Sequence, residues 1–481
     1  MTEDMVSIMT GIVGRDDVSD NDDVLSKYSG KTIPSLVVWP KTTDEIARIV
    51  RWANLKKISL LVRSSSGPRL RGDWFPKVEN TIILDLSKMD RILRIDPLNK
   101  VVMIEPGVTY GKLLKELTRK GLRPAIPFIP EASKSVLSAC LDREPTIMPR
   151  FHWDSSDPLL CTETVFGTGD VLRTGAAAGP GSLEEQWASG QAQKNPQGPS
   201  QFDPFRLVQG AQGTIGIVTW ISMKCEQLPE HHKLYLAGSD NLNDFMDFNY
   251  AVLRRRLADE HFMLNKVNFE AAIASANDIP EWVLVIGVSG HGMIAEEELE
   301  YRTGDIMDIA RETNIILHDS LGKIKGTDIL TLLNKPSDVA YWKLQVYGEC
   351  HEIFFLTTLD RAKEFYEVFQ NTANTVGFPI DQIGAYIQPL AQGTNTHVGL
   401  DLFYSPEDKE LVEKMISLSS MGQAQLLNRG AYFSRPYGFI VDAVFKHASS
   451  STLSAMRRVK QIFDPSNILN PGALCFKEVL Q

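Results

Sequence analysis

A chain of 481 residues is too long for one ordinary core, and at roughly 100–200 residues per domain it reads as two large lobes. Hydrophobic residues make up 43% and charged residues 23%, with 34 Gly and 25 Pro, a balance that excludes a disordered or fibrous chain. The net charge of −10 argues against binding along a nucleic-acid backbone, which needs a surplus of Lys and Arg on one face.

Arg254-Arg255-Arg256 reads as a solvated helix face. The opening MTEDMVSIMTGIVGRDD lacks a basic n-region and a cleavage site, and no window reaches the roughly 18 apolar residues of a membrane span. A cytoplasmic protein is therefore expected. The five cysteines show no CxxC and no zinc-finger spacing, so neither an iron–sulfur cluster nor a structural zinc is expected. Cys350 and His351 are neighbours on a strand-like run and point to opposite faces.

In chain order, Thr42-Thr43-Asp44-Glu45 has capping-box spacing, and the following IARIVRWANLKK is helical in period. ISLLVR reads as a buried strand, and TIILDLS, RILRID and KVVMIEPG as three more. GVTYGKLLKELTRKG returns to helix and closes at Gly121. Residues 124–162 carry many prolines and no sustained period, which points to a long loop-rich stretch around a site. LLCTETVFGTGDVLRTG gives two strands with a turn at Thr168-Gly169, Ser182 to Glu185 is a second capping box, and GTIGIVTWISMKCEQLP is strand. From about residue 230 the composition shifts to long amphipathic helices (243–259, 295–313, 359–377) between β-rich runs such as EWVLVIGVSG and THVGLDLFY, an α+β lobe. The tail STLSAMRRVKQIFDPSNILNPG is a helix stopped by Asp-Pro.

The loop SSSGPRLRG after the second strand has neither GxxxxGK[ST] nor GxGxxG. It offers small residues whose backbone N–H groups can approach an anion, with hydroxyls and arginines as further donors. On this stretch alone, a plain surface turn is an equal reading. Its surroundings, from PSLVVWPKTTDEIARIVRWANLKK to VVMIEPGVTYGKLLKEL, together with SVLSACLDRE, FGTGDVLRTG, FDPFRLVQGAQGTIGIVTW and FDPSNILNPG in order, resemble the vanillyl-alcohol oxidase / p-cresol methylhydroxylase flavoprotein family. That family includes a glycolate and D-lactate dehydrogenase branch.

The resemblance implies an α+β protein: a two-subdomain FAD-binding fold over residues 1–229 with a C-terminal return at 446–481, and an inserted α+β cap domain over 230–445. It implies that Ser64, Ser65, Ser66, Gly67 and Arg69 wrap the FAD diphosphate. It places Pro130, Ser133, Ser138 and Ala139 by the isoalloxazine and ribityl region, Gly213, Ile217 and Val218 by backbone contact at the adenine half or ring edge, and Asn470 close to the flavin. The chain departs from the pattern with SSSG and SKSVLSAC where relatives are richer in glycine. Residues 63–72 contain no His, so FAD is expected to be held non-covalently there, with a tether at His397 or another distant side chain left open.

Flavin oxidoreductases need a base, a cation and an orienting group around the reacting carbon. FHWDSSDP supplies His152, Asp154 and Asp157, although His152 serves equally well as a loop cap. AYIQPLAQGTNTHVGLDLFY presents Tyr386 and Gln388 on one strand face and Asn395 and His397 on another, either as substrate contacts or as plain sheet-surface polars. GAYFSRPYGF presents Tyr432 and Arg435, a planar cation suited to a carboxylate, a phenolate or a reduced flavin. Ser434 precedes Arg435 where alkylphenol-oxidising relatives carry a Tyr-Arg pair, and the His-rich metal motif of the lactate branch is absent.

The expected function is an FAD-dependent dehydrogenase that takes hydride from an alcohol, 2-hydroxy acid or alkylphenol-type carbon. His152, Tyr386, His397, Tyr432 and Arg435 are its catalytic set. Its partners are a small-molecule substrate, an electron-acceptor protein or quinone, and further copies or subunits in a dimer or larger complex. The alternative is a non-catalytic structural subunit of such a complex.

Overall fold

The Thr42 hydroxyl accepts from the Glu45 amide, the Glu45 carboxylate accepts from the Thr42 amide, and this capping box launches the helix Thr43–Lys56. In the computed structural model, residues 2–67, 70–71, 75–153, 157–198, 204–273, 279–337 and 341–476 are described. The apolar face of this helix, Ile46, Ile49, Val50 and Ala53, packs on the strands Leu36–Val38, Thr81–Asp85 and Ser59–Arg63, which pair in that order in parallel. A helix absent from the sequence reading, Thr2–Val13, adds Met5, Met9 and Val13 to the same core. Because the strands are parallel, the loop after Arg63 leaves from their C-terminal edge, where open α/β sheets bind ligands.

The C-terminal segment completes this edge. The Leu60 amide donates to the Ile468 carbonyl at 2.7 Å and the Asn470 amide to the Leu60 carbonyl at 2.8 Å. The helix Ser450–Phe463 precedes it, and buried Lys460 donates to the Thr214 carbonyl at 2.6 Å and the Leu469 carbonyl at 2.9 Å. That ammonium ties the C-terminal return to the segment around Thr214.

A second sheet is antiparallel, with strands Ile92–Asp96, Val101–Ile104, Gly216–Gln227, Leu159–Phe166 and Val171–Arg173 in spatial order, and Leu122–Pro124 pairs with the far end of Gly216–Gln227. The third sheet is antiparallel throughout. Its order is His231–Ser239, Trp282–Gly290, Glu260–Asn265, Ile383–Leu390, Asn395–Tyr404 and Glu349–Thr357. Side chains alternate across it. Ile353, Phe355, Ile387, Val398 and Leu400 face the helices Met246–Arg255, Ala295–Glu312, Ala362–Val376 and Lys409–Asn428, and the opposite face turns to the N-terminal half. The 20-residue helix Lys409–Asn428 was also absent from the sequence reading; at its Gly422 the missing Cβ makes room for the Phe369 ring.

Backbone clips hold this sheet to the N-terminal half. Ser337 and Pro130–Ala132 exchange two hydrogen bonds, 2.7 Å from the Ser337 amide to the Pro130 carbonyl and 2.9 Å from the Ala132 amide to the Ser337 carbonyl. The Glu352 amide donates to the Leu70 carbonyl at 2.9 Å. One core runs through the seam, with Phe128, Val136 and Leu137 on one side and Phe262, Leu264, Trp342 and Tyr386 on the other. Arg254, Arg255 and Arg256 are exposed, the five cysteines are buried and unbridged, and no helix among the described residues is long and apolar enough to cross a membrane.

Candidate active site

The register of the third sheet decides what faces the N-terminal half. Gln388 pairs with His397, Tyr386 with Gly399, Phe354 with Gly399 and Glu352 with Asp401, so these side chains share one face. All of them except Gln388 roof a cavity of about 300 Å3, at the lower end of ligand-pocket volumes. Its floor comes from three N-terminal segments, around Ser64 to Gly67, Pro130 to Ser138 and Gly213 to Val218, together with Asn470 from the C-terminal return.

The floor is built by close backbone approach. At Gly67 a Cβ would lie 1.8 Å from a carboxylate oxygen of Glu131, so any side chain there displaces Glu131. Gly213 has φ +68°, the left-handed region that favours glycine, in the turn before the strand Gly216–Gln227. The Ser65 hydroxyl is buried and accepts from the Ser135 amide at 2.8 Å, linking the first loop to the helix Val136–Leu141. The Asn470 amide group donates to the Gln212 carbonyl at 2.8 Å, joining the third segment to the C-terminal return.

The roof carries a buried charge network. Lys343 bridges Glu352 at 2.7 Å and Asp401 at 2.6 Å, while Arg71 bridges Glu352 at 2.9 Å and Glu144 at 3.1 Å. Lys134 also pairs with Glu144. Burial alone would push these carboxyls up, but Lys343 and Arg71 hold Glu352 well below the usual carboxylate range. Asp401, its neighbour across Lys343, is pushed up by burial and by the Glu352 charge.

Arg435 stands apart. It is buried, 3% exposed, with its guanidinium carbon 4.2 Å from the Phe354 ring centroid, and its Nε and Nη1 have no hydrogen-bond partner among the described residues. Burial and the nearby Arg71 charge push its pKa down to about 10. His397 stacks on the same Phe354 ring at 5.8 Å. Burial first, then the Arg435 and Arg71 charges, hold its imidazole well below 6.5, so it is neutral near pH 7. An unsatisfied cation beside a neutral base is an arrangement prepared for an anion that also surrenders a proton.

Of the predicted residues, Ser64, Ser65, Gly67, Pro130, Ser138, Gly213, Ile217, Val218, Tyr386, His397, Arg435 and Asn470 line this one cavity. Others fall outside its lining. Ser66 is exposed, the Ser133 hydroxyl turns to Glu131, and Ala139 is packed into the core within the helix Val136–Leu141. Gln388 is buried with its amide on the His261 and Pro389 carbonyls, and Asn395 is exposed. Arg69 and Asp154 lie outside the described residues.

Two members of the expected catalytic set, Tyr432 and His152, also lie outside the cavity lining. Tyr432 is 65% exposed, because its backbone amide and carbonyl both pair with Leu356 and turn its side chain away. His152 is buried away from the cavity, in a segment anchored by Trp153, whose indole donates to the Glu144 carbonyl at 2.9 Å; Gln209 binds back onto the Trp153 carbonyl and Asp157. Sequence reasoning missed Lys343, Glu352, Asp401, Arg71 and Glu144. Polar residues at every second position of His397-Val398-Gly399-Leu400-Asp401 were the signal that could have found Asp401.

The three-segment floor, with Gly67 and the left-handed Gly213, and the buried Arg435 cation fit a bound dinucleotide with an anionic co-substrate. Residues 34–175 match the family model described as FAD binding domain, and residues 441–474 match that of the C-terminal domain of FAD linked oxidases. The chain is 20% identical to a mitochondrial D-lactate dehydrogenase (cytochrome) of Arabidopsis thaliana, over 93% of this chain and 75% of that protein. It is 30% identical to the flavoprotein subunit of 4-cresol dehydrogenase (hydroxylating) of Pseudomonas putida, over 31% of this chain and 28% of that one. Among solved structures, p-cresol methylhydroxylase with substrate bound superposes with a TM-score of 0.83 at 18% identity, covering 98% of this chain and 96% of that one.

Proposed function

We propose that this chain, with its FAD-binding and C-terminal FAD-linked-oxidase domains, is a dehydrogenase of the vanillyl-alcohol oxidase and p-cresol methylhydroxylase type acting on the hydroxyl-bearing carbon of a small 2-hydroxy acid. The observation that carries this reading is Arg435, a buried cation with two nitrogens that have no hydrogen-bond partner among the described residues, on the cavity that His397 also lines. A substrate carboxylate supplies the acceptors that Arg435 lacks.

The charges then work in sequence. Arg435 and Arg71 depress the basicity of His397 in the empty cavity. A carboxylate seated on Arg435 cancels part of that field, so the imidazole becomes a stronger base when substrate is in place. His397 takes the hydroxyl proton on a ring nitrogen. Phe128, Trp342 and Phe354 line the cavity and keep water from the reacting carbon. FAD, when bound, supplies the hydride acceptor. Ser64, Ser65 and Gly67 would hold its diphosphate, Pro130 and Ser138 its ring side, and Gly213, Ile217, Val218 and Asn470 the remaining contacts. The paired cations Lys343 and Arg71 fix the roof strands so that His397 and Arg435 keep their places.

Electrons leave to a separate acceptor, a protein or a quinone, in a cytoplasmic oligomer. A 4-alkylphenol is the second reading, favoured by the aromatic wall of Phe128, Trp342 and Phe354. Against it, the Tyr386 hydroxyl already donates to Gln388 at 2.7 Å and the Tyr437 hydroxyl to Asp142 at 2.9 Å, which commits both phenolic protons elsewhere. Anaerobic stopped-flow reduction of the purified flavoprotein by D- and L-2-hydroxy acids, benzylic alcohols and 4-alkylphenols tests the choice. Bleaching by a 2-hydroxy acid supports it, and bleaching by alkylphenols alone refutes it.

A further inference from the structure

A second cavity, of about 220 Å3, lies between the N-terminal half and the third-sheet lobe. Its apolar walls come from Leu114, Ile126 and Ile147 on one side and Leu330 and Leu333 on the other. Its polar end is a buried triad. Arg123 Nη1 donates to Glu260 Oε1 at 2.8 Å, and His232 Nε2 lies 2.7 Å from Glu260 Oε2. The fold makes room for this carboxylate at Gly287, where a Cβ would lie 2.0 Å from Glu260 Oε2.

The Arg123 side chain is nine-tenths buried, yet only one of its nitrogens is used. Nε and Nη2 have no partner among the described residues. These two N–H groups form the adjacent, parallel pair on one edge of the guanidinium, the fork that takes both oxygens of a carboxylate. A purely structural arginine in such a place spends its donors on protein carbonyls, as Arg302 does with Leu257 and Ser289. Arg123 keeps its better edge unspent beside an apolar hollow. A cavity of roughly 150 Å3 is enough for a benzene ring in an apolar protein interior, so this one takes a ring or short chain with a carboxylate attached.

We propose that this cavity binds a small monocarboxylate with an apolar body, its carboxylate on the Nε/Nη2 edge of Arg123 and its body between Ile126, Ile147 and Leu330. Because the walls come from both lobes, the ligand clamps them together, and occupancy reads out as thermal stability. The site stands independently of the reading given to the first cavity.

The test is calorimetric titration and thermal unfolding of the FAD-loaded protein with benzoate or hexanoate, with benzyl alcohol as the neutral control. The expected result is saturable benzoate binding that raises Tm, persists in Arg435→Met, and weakens at least tenfold in Arg123→Met and in the cavity-filling Leu330→Trp. Benzyl alcohol gives no comparable effect. Leu330→Trp leaves the Arg123–Glu260–His232 triad intact, so it decides the matter even if Arg123→Met folds poorly, and its flavin-reduction rate stays at the wild-type value. Absence of binding at tens of millimolar benzoate overturns the proposal. So does binding that survives Leu330→Trp but is lost in Arg435→Met, which places the ligand in the first cavity alone.

Discussion

Arg435 and Phe354 are in direct contact, guanidinium carbon to ring centroid 4.2 Å, and the same ring stacks on His397. One aromatic side chain thus sets the separation of the cation and the base. The Arg435→Met variant should lose about tenfold to hundredfold in reduction rate with an anionic substrate, the worth of a charge-assisted hydrogen-bonded contact. Its stability without substrate should match or exceed wild type, because the substitution removes a buried charge with two donors unpartnered among the described residues. Stopped-flow kinetics alongside thermal unfolding checks both halves.

Lys343 presents the opposite case. It neutralises Glu352 and Asp401 together, so Lys343→Met leaves Glu352 with Arg71 alone and takes from Asp401 its cation, and should cost about 3–5 kcal/mol, the usual loss when one partner of a buried pair is removed. Adding Asp401→Asn to that variant should recover part of the loss. Urea unfolding of the three proteins measures it.

Two buried histidines and the half-buried His351 make the fold sensitive to acid. Burial lowers His261 to about 3 and His351 to about 4, and holds His397 well below 6.5. All three are neutral in the fold, while in the unfolded chain they protonate near pH 6.5. The unfolded state therefore binds more protons as pH falls, and the stability present above about pH 6.5 drains away toward the folded values. A ring protonated only in the unfolded chain contributes about 1.4 kcal/mol per pH unit, so His261 and His351 together give a slope near 3 kcal/mol per unit between about pH 6 and 5, and His397 adds in the same direction. His261→Gln should reduce that slope by about 1.4 kcal/mol per pH unit, as read from urea unfolding at several pH values.

Gly67 and Glu131 make the first loop a test of cofactor binding. Gly67→Ala drives a Cβ into the Glu131 carboxylate and should leave the purified protein deficient in FAD. Glu131→Gln removes a negative charge from beside the expected diphosphate site and should tighten FAD several-fold, an effect that shrinks with added salt. Fluorescence titration of the apoprotein distinguishes the two.

Wherever the local chemistry is self-contained, the sequence could be read directly. The Thr42/Glu45 and Ser182/Glu185 boxes, the parallel strands around Leu60 and Ile83, and the helix stop at Asp464 all formed where their residues pointed. The N-terminal helix and Lys409–Asn428 were missed. The latter carries Ser419, Ser420 and Gly422 at its centre, residues of modest to poor helix propensity; there Ser419 meets His351 and Gly422 makes room for Phe369 of neighbouring elements. The ion network was illegible for a different reason. Arg71, Glu144, Lys343, Glu352 and Asp401 come from five segments, and each alone looks like a surface charge until the sheet register faces them into one cavity. Arg435 and His397 could be picked out because their residue types suit the chemistry, whereas Tyr432 shared the type and lacked the orientation.

The most direct measurement is anaerobic titration of the purified, FAD-loaded protein with a 2-hydroxy acid, followed at the flavin absorption bands in wild type and in Arg435→Met. The account predicts full bleaching of the wild type and a reduction slowed at least tenfold in the variant. Equal reduction of both proteins, or bleaching of the wild type by neutral alcohols and alkylphenols but not by any 2-hydroxy acid, would contradict it.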